Sequence, residues 1–382
     1  FVIHYQAPSS IVAYYQQVGR AGRGIDRAVG ILLSGEEDNK IHDYFRRSAF
    51  PKERWVLSIL EALEESDGLN TIELEESVNL RRGQIDDVVK FLSVDSPATV
   101  IKNGSKWQRT PVFYRRDHER IQRLTKQRVI EWQEVQSYLD EKGCLMEFLA
   151  RALDDVDLKP CGRCASCREQ NIIDPSFQRE TAISAGIFLK HAEIPLECKK
   201  QVAKGAFQKY CFTGNLPEAL RAEVGRILSR WGDSGWGQIV ADDKHNGYFR
   251  DELAEAVRKM IVDRWRPAPR PAWVTCVPSR NHPTLVPDFA ERLAGALGLP
   301  FVPIVKKVRD NEQQKGQQNR FHQCHNLDGA FAIEGKLPEG PVLLIDDVVD
   351  SAWTLTVIAA LLRQAGSGLV WPLALTTSSI GA

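Results

Sequence analysis

The chain has 382 residues, 43% of them hydrophobic, and 50 Lys+Arg balance 50 Asp+Glu to a formal net charge of zero. That length predicts about two to four domains, each with its own core. The charge balance removes any whole-chain argument for nucleic-acid binding, so a basic footprint must be local. No apolar run reaches the ~18–20 residues of a membrane-spanning helix, and no secretory leader pattern opens the sequence. The 8 cysteines, half of them packed into one short segment, point to a reducing cytoplasm rather than a disulfide scaffold.

Phe1–Tyr5 reads as a buried strand with no approach segment, as though the chain began inside a larger domain. A turn at Pro8-Ser-Ser10 leads to a short helix carrying Tyr14-Tyr15-Gln16. Then comes Gln17-Val-Gly-Arg20-Ala-Gly22-Arg23-Gly24, followed by a strand over Ala28–Leu33. The glycines let the loop turn tightly, so that Arg20 and Arg23 project from one edge. Arginine suits bidentate phosphate contact, and held against a γ-phosphate it stabilises the charge of phosphoryl transfer. A solvated Arg/Gly turn is the plainer alternative.

Past Pro51 the periodicity becomes helical. Val56, Ile59, Leu60 and Leu63 share one face, Asp67-Gly68 stops that helix, Thr71–Val78 forms a second, and a third carries Ile85, Val88, Val89 and Leu92. Two β-like runs, Thr99–Lys102 and Lys106–Thr110, meet across Asn103-Gly104, a strong hairpin signal. Three helices and a hairpin suggest a winged helix whose third helix could enter a DNA groove. Arg81 and Arg82 stand at its start, and Lys102, Lys106, Trp107 and Arg109 form a basic and aromatic hairpin set. Asp86 and Asp87 on the same helix oppose DNA. A helical packing domain with a solvated hairpin remains the alternative.

Asp117–Lys142 reads as one long amphipathic helix with Ile121, Leu124, Val129, Trp132, Val135 and Leu139 inward. Arg116, Arg120, Arg123, Lys126 and Arg128 mark its first half, either as a solvated face or as a phosphate-contacting stripe. Next comes Cys144, and after residues 145–160 the knuckle Cys161-Gly-Arg-Cys164-Ala-Ser-Cys167. Paired C-x-x-C steps and a closed four-thiolate set suit structural Zn2+. An iron–sulfur cluster is the rival, but its fourth cysteine would fall at C-x3-C, where this chain has Asn171.

Residues 176–230 read as helical and mixed in charge, with Cys198 and Cys211 as core thiols. From Trp236 the grammar alternates. Strand Gly237–Val240 and helix Asp251–Trp265 are followed by a proline-rich joint at 267–271, strand Trp273–Val277 and helix Val286–Leu297. Strands Phe301–Val305 and Val342–Ile345 complete the series. Such alternation implies a parallel sheet covered on both faces. At Val342-Leu-Leu-Ile-Asp346-Asp347-Val-Val-Asp350-Ser-Ala-Trp-Thr354, two acids end a buried strand, where such sheets bind ligands. A loop of small and hydroxylated residues then enters helix Leu355–Gln364, a ready phosphate site.

Two resemblances follow from these residues. Phe1-Val-Ile-His4, Pro8, Ser10, Tyr14-Tyr15-Gln16 and Gly19-Arg20-Ala-Gly22-Arg23 resemble the last signature motif of RecQ-family ATP-dependent DNA helicases. Their downstream zinc module shares the spacing of Cys144, Cys161, Cys164 and Cys167. The resemblance implies that Arg20 and Arg23 sense nucleotide and that Gln17 couples it to the DNA state. It also implies ATP with Mg2+ in the full-length protein, and duplex or forked DNA with a single-stranded tail as partner. No G-x-x-x-x-G-K-[ST] loop occurs, so this chain alone is not expected to hydrolyse ATP. The candidate winged helix precedes the zinc module, the reverse of the RecQ order.

The stretch Val342–Thr354 resembles the phosphoribosyl-pyrophosphate motif of type I phosphoribosyltransferases. That implies Asp346 and Asp347 on the ribose hydroxyls, and Asp350, Ser351, Ala352 and Thr354 around the 5′-phosphate. Phosphoribosyl pyrophosphate with Mg2+ would be the ligand, and Asp350 would act on the base as in the hypoxanthine–guanine enzymes. Pro278-Ser-Arg280-Asn281 is similar to the pyrophosphate loop and Lys306–Arg320 to the flap. Gly298-Leu-Pro300 and 326–331 resemble the competence-protein branch. Where the family has a loop glycine this chain has Ala352, beside bulky Trp353; a Cβ there disfavours positive φ.

The expected whole is a multidomain α and α/β protein. Residues 1–48 end a second RecA-like lobe, 50–116 form a winged-helix-like domain and 117–175 a helical zinc module. Residues 176–230 form a helical connector and 231–382 a phosphoribosyltransferase-like domain. The expected function is the C-terminal portion of a helicase that couples ATP hydrolysis to unwinding. The alternatives are a phosphoribosyltransferase or ribose-phosphate-binding protein, or a scaffold that docks protein partners beside a DNA-binding module.

Overall fold

A computed structural model describes residues 1–382 except 23, 25, 26, 36, 175, 192, 234, 280, 281 and 379–382. The chain divides into two compact units, one of Phe1–Leu74 with Gly83–Ser176, the other of Glu75–Arg82 with Phe177–Ala382. Among the described residues no helix is long and apolar enough to cross a membrane.

The first unit opens with β1 (Val2–His4), α1 (Ile11–Val18) and β2 (Gly30–Leu32), the two strands pairing in parallel. Ser10 caps α1 by accepting the Ala13 N–H at 3.1 Å, the role expected of a serine at that position. Then follow α2 (Glu37–Ser48), α3 (Glu53–Glu64), α4 (Thr71–Ser77), whose residues from Glu75 are counted with the second unit, and α5 (Arg82–Ser93), in the first unit from Gly83. The antiparallel hairpin β3 (Val100–Asn103) and β4 (Lys106–Arg109) turns at Gly104, whose φ of +60° favours glycine. The apolar stripe of α3 is buried as its spacing predicts, through Val56, Ile59, Leu60 and Leu63.

The long helix α6 (His118–Leu139) starts at Asp117, which accepts the Arg120 N–H. Only its second half is buried: Trp132, Val135 and Tyr138 pack with Ile11 and Tyr14 of α1, whereas Leu124 and Leu139 are exposed. The sequence pattern gave both leucines an inward place. Single exposed leucines are ordinary on a helix that buries its other face against α1, α2 and the helix Leu145–Arg151. Short helices α7 (Leu145–Arg151) and α8 (Ala165–Arg168) complete the unit.

The second unit carries α9 (Arg179–His191), β5 (Ile194–Leu196), β6 (Gly225–Arg230), α10 (Gly237–Asn246), α11 (Asp251–Lys259), β7 (Trp273–Cys276) and α12 (Leu285–Leu297). They are followed by β8 (Val305–Lys307), α13 (Arg320–Leu327), β9 (Phe331–Ile333), β10 (Val342–Val349), α14 (Trp353–Gln364) and β11 (Val370–Thr377). Its five-stranded sheet has the order β5-β6-β11-β10-β7. All pairings are parallel except that of edge strand β5. Alternate residues of β10 serve opposite faces: Val342 and Leu344 pack with α14, Leu343 and Ile345 with α11 and α12. This double burial is why the strand reads as an unbroken apolar run.

Four expectations fail here: Phe301–Val305 is not a strand, since only Val305 enters β8 and Phe301 forms an isolated bridge to Val274; Cys211 is exposed rather than a core thiol; and two concern where strands fall. Gly237–Val240 is not a strand but the first turn of α10, and the stretch 176–230 supplies β5 and β6 to the sheet besides helix α9. An apolar pair such as Ile239-Val240 fits either period, and length alone arbitrates poorly. Gly237 is required by contact, since a Cβ there would lie 1.7 Å from the Arg230 carbonyl oxygen.

Candidate functional site

β10 outruns its neighbour. It pairs with β7 only as far as Ile345–Cys276, but with β11 as far as Val349–Thr377. Residues 346–349 therefore border a cleft over the carboxyl end of β7, the place where open α/β sheets take ligands. A cavity of about 620 Å³ opens there, lined by Lys244, Ser279, Lys307, Asp346, Asp347 and the loop to Thr354 among others.

The acidic pair is tightly wired. Asp346 Oδ1 accepts the Asp347 N–H at 2.9 Å, and Asp347 Oδ1 accepts the Val348 N–H at 2.7 Å. Lys244, on α10, donates to Asp347 Oδ2 at 2.7 Å. Burial, followed by the Asp347 charge, holds the Asp346 carboxyl well above the usual carboxylate range, against the opposing pull of the Asp347 N–H and Lys244.

Ala352, standing where the glycine was expected, adopts the left-handed conformation (φ 58°, ψ 10°) at the N-terminus of α14. A residue with a Cβ pays about 1–2 kcal/mol for that geometry. It is held in place by Thr356, whose N–H and hydroxyl both donate to the Ala352 carbonyl, at 2.9 and 2.8 Å. Trp353 is buried in the core around α14 and also lines the cavity. Asp350 is exposed, and Ser351 and Thr354 are half-buried, all three on the cavity lining. Arg280 and Asn281 lie outside the described residues. In the flap-like stretch, Arg309 donates to the carbonyls of Asn326 and Asp328 at 2.9 Å each. Asp328 in turn accepts backbone N–H groups of Gln208, Lys209 and Tyr210. Lys244, on α10 and 103 positions before Asp347, carries no sequence motif.

In the first unit the Sγ atoms of Cys144, Cys161, Cys164 and Cys167 all lie within 4.8 Å of one another, a set that can hold a metal ion. Cys144 and Cys164 cap α7 and α8, accepting the N–H groups of Glu147 and Cys167 at 3.4 Å. Cys144 also accepts from Cys161, and Cys161 from Arg163 and Cys164. N–H donors aimed at sulfur favour thiolates, the form that binds metal. Four thiolates at ~2.3 Å from one centre would stand roughly 3.8 Å apart, so modest side-chain rotation suffices. Four thiols in this arrangement fit a tetrahedral, thiophilic metal ion.

Gln17 is exposed on α1 and Arg20 is exposed just beyond it, while Arg23 lies outside the described residues. Arg82, Lys106 and Arg123 are exposed, as is Arg81, which has partners of its own. Trp107 is half-buried, bridged to Leu69, with the Lys102 ammonium 5.4 Å from its ring centre. Arg120 lies 3.8 Å from Asp95. Arg109 is committed internally: it donates to the carbonyls of Thr99, Thr110 and Val112 and lies 3.2 Å from Glu64. It holds the hairpin's base.

No family model and no curated protein matches the chain. Among solved structures, it is similar to adenine phosphoribosyltransferase from Leishmania tarentolae, at 18% identity over 34% of this chain and 72% of that one, with a TM-score of 0.23. A second adenine phosphoribosyltransferase has 16% identity over 50% of this chain and 89% of that one, with a TM-score of 0.25. The enzyme from Leishmania donovani has 16% identity over 54% and 86%, also with a TM-score of 0.25. At such TM-scores the likeness assigns neither fold nor function to this chain.

Proposed function

We propose that the second unit binds a ligand built on ribose 5-phosphate, as a type I phosphoribosyltransferase-like domain would. One observation carries this reading: the acidic pair Asp346-Asp347 at the free end of β10 runs, through the left-handed turn at Ala352, straight into the N-terminus of α14 on one cavity wall. The carboxyls are placed to receive sugar hydroxyls. The N–H groups opening α14 and the hydroxyls of Ser351 and Thr354 suit a phosphate. Phosphoribosyl pyrophosphate with Mg2+ is the donor such a site would take, with Asp350 set to act on an incoming base. Ribose 5-phosphate at millimolar concentration should raise the melting temperature of the full chain by mass action. An unchanged melting temperature with ribose 5-phosphate and with phosphoribosyl pyrophosphate would reject the reading.

A second reading concerns the first unit. We propose that it belongs to a RecQ-like DNA helicase, as the end of its second motor lobe with a winged-helix-like element and a zinc module. A chain of tilted and edge-on aromatic contacts supports it. Tyr14 on α1 meets Tyr138 of α6 at 5.3 Å, and Tyr138 meets Phe148 of α7 at 5.5 Å, which links the helix of Gln17 to the helix capped by Cys144. The unit should bind forked DNA with an affinity that falls steeply with salt.

A further inference from the structure

Lys244 closes on Asp347 at 2.7 Å within the cavity, with the two side chains 27% and 13% exposed. Its placement is built into the fold. The preceding residue, Asp243, is buried and accepts the Arg250 backbone N–H at 2.9 Å and two guanidinium N–H bonds, from Nε at 2.9 Å and from Nη2 at 2.6 Å. That clamp fixes the last turn of α10, and Gly247, at φ 77°, ends the helix just beyond.

Two carboxyls side by side would repel a phosphate-bearing sugar unless a cation intervened. Here the Lys244 ammonium already neutralises Asp347. Its two remaining N–H bonds can donate to a sugar oxygen while the carboxyls accept from sugar hydroxyls. Each oxygen of a vicinal diol both donates and accepts, so the diol matches a donor–acceptor pair better than it matches two bare acceptors.

We propose that Lys244 is a specificity-determining residue that, paired with Asp347, reads the vicinal diol of the ribose and lets a ribose phosphate bind without a divalent cation. This rests on the ribose-phosphate reading of the same cavity and adds to it the chemistry of sugar recognition.

The test titrates the full chain with ribose 5-phosphate and 2-deoxyribose 5-phosphate, with and without added Mg2+. Chelators are left out, so that the four-thiol site keeps its metal. The wild-type affinity for ribose 5-phosphate should change little when Mg2+ is omitted, and ribose should be preferred over deoxyribose. Lys244→Met should lose about tenfold or more in affinity without Mg2+, the scale of a lost charged hydrogen bond. Mg2+ should restore much of that loss, and the preference for ribose should shrink. Lys244→Arg should keep cation-free binding and Asp347→Asn should lose it, a pair that decides the matter if Lys244→Met does not fold. A wild type that binds only with Mg2+, or a Lys244→Met loss equal in both media, overturns the proposal. Wild-type protein that binds neither sugar phosphate in either medium overturns the ribose-phosphate reading itself.

Discussion

The two candidate sites are assembled by different means. The four-thiol set is local: its sulfurs come from one segment, and the short helices α7 and α8 are themselves capped by two of its cysteines. The cavity at β10 is long-range, since Lys244 reaches Asp347 across 103 positions and the strand's free edge exists only because β7 stops at Cys276. A local site is dictated by spacing. A long-range site inherits its order from a sheet buried on both faces.

Breaking the local site should have the larger effect. Cys144→Ser is expected to abolish stoichiometric metal binding and the cooperative unfolding of residues 116–170, because metal affinity is folding energy in such modules. Elemental analysis and limited proteolysis would show both, while the sheet unit keeps its proteolytic resistance. By contrast, Leu344→Ala, in the fully buried middle of β10, should cost about 2–5 kcal/mol and leave metal content intact, read by urea unfolding.

Asp346→Asn separates function from stability. Its carboxyl is held above the usual range, so the folded chain binds a proton that the unfolded chain releases as pH rises past the ordinary carboxylate value. The folded state therefore loses stability from this group as pH climbs from about 4 toward its raised value, with the full penalty present above it. The asparagine variant should lose ribose-phosphate binding yet melt higher than wild type near neutral pH, with a flatter dependence on pH. A melting temperature that falls by the same amount at every pH would contradict this account of Asp346.

The smallest effect belongs to the turn. Ala352→Gly relieves a left-handed Cβ and should stabilise the unit by about 0.5–1 kcal/mol in urea titrations, after the flexibility glycine adds to the unfolded chain is subtracted.

Legibility in the sequence followed the same division. The C-x-x-C steps announced the thiol set because one tight turn brings near neighbours together. The run from Val342 to Thr354 announced the strand, acids and helix entry because burial on both faces leaves an apolar stretch with a polar end. Lys244 was invisible: an isolated lysine in a helix of mixed charge has no signature until α10 is folded against the sheet. Gly237–Val240 was misread as a strand because Ile239-Val240 suits either period, and nothing in the sequence shows that Gly237 must lie against the Arg230 carbonyl. Arg109 read as part of a basic and aromatic hairpin set that could meet DNA, yet its guanidinium serves three carbonyls at the base of the hairpin. Charge on a strand does not say which way it is used.

The most direct test of the ribose-phosphate assignment is calorimetric titration of the full chain with phosphoribosyl pyrophosphate and Mg2+, wild type beside Asp346→Asn. Saturable one-site heat in the wild type that vanishes in the variant is the expected result. No heat at millimolar ligand, or equal heat in both proteins, would contradict it.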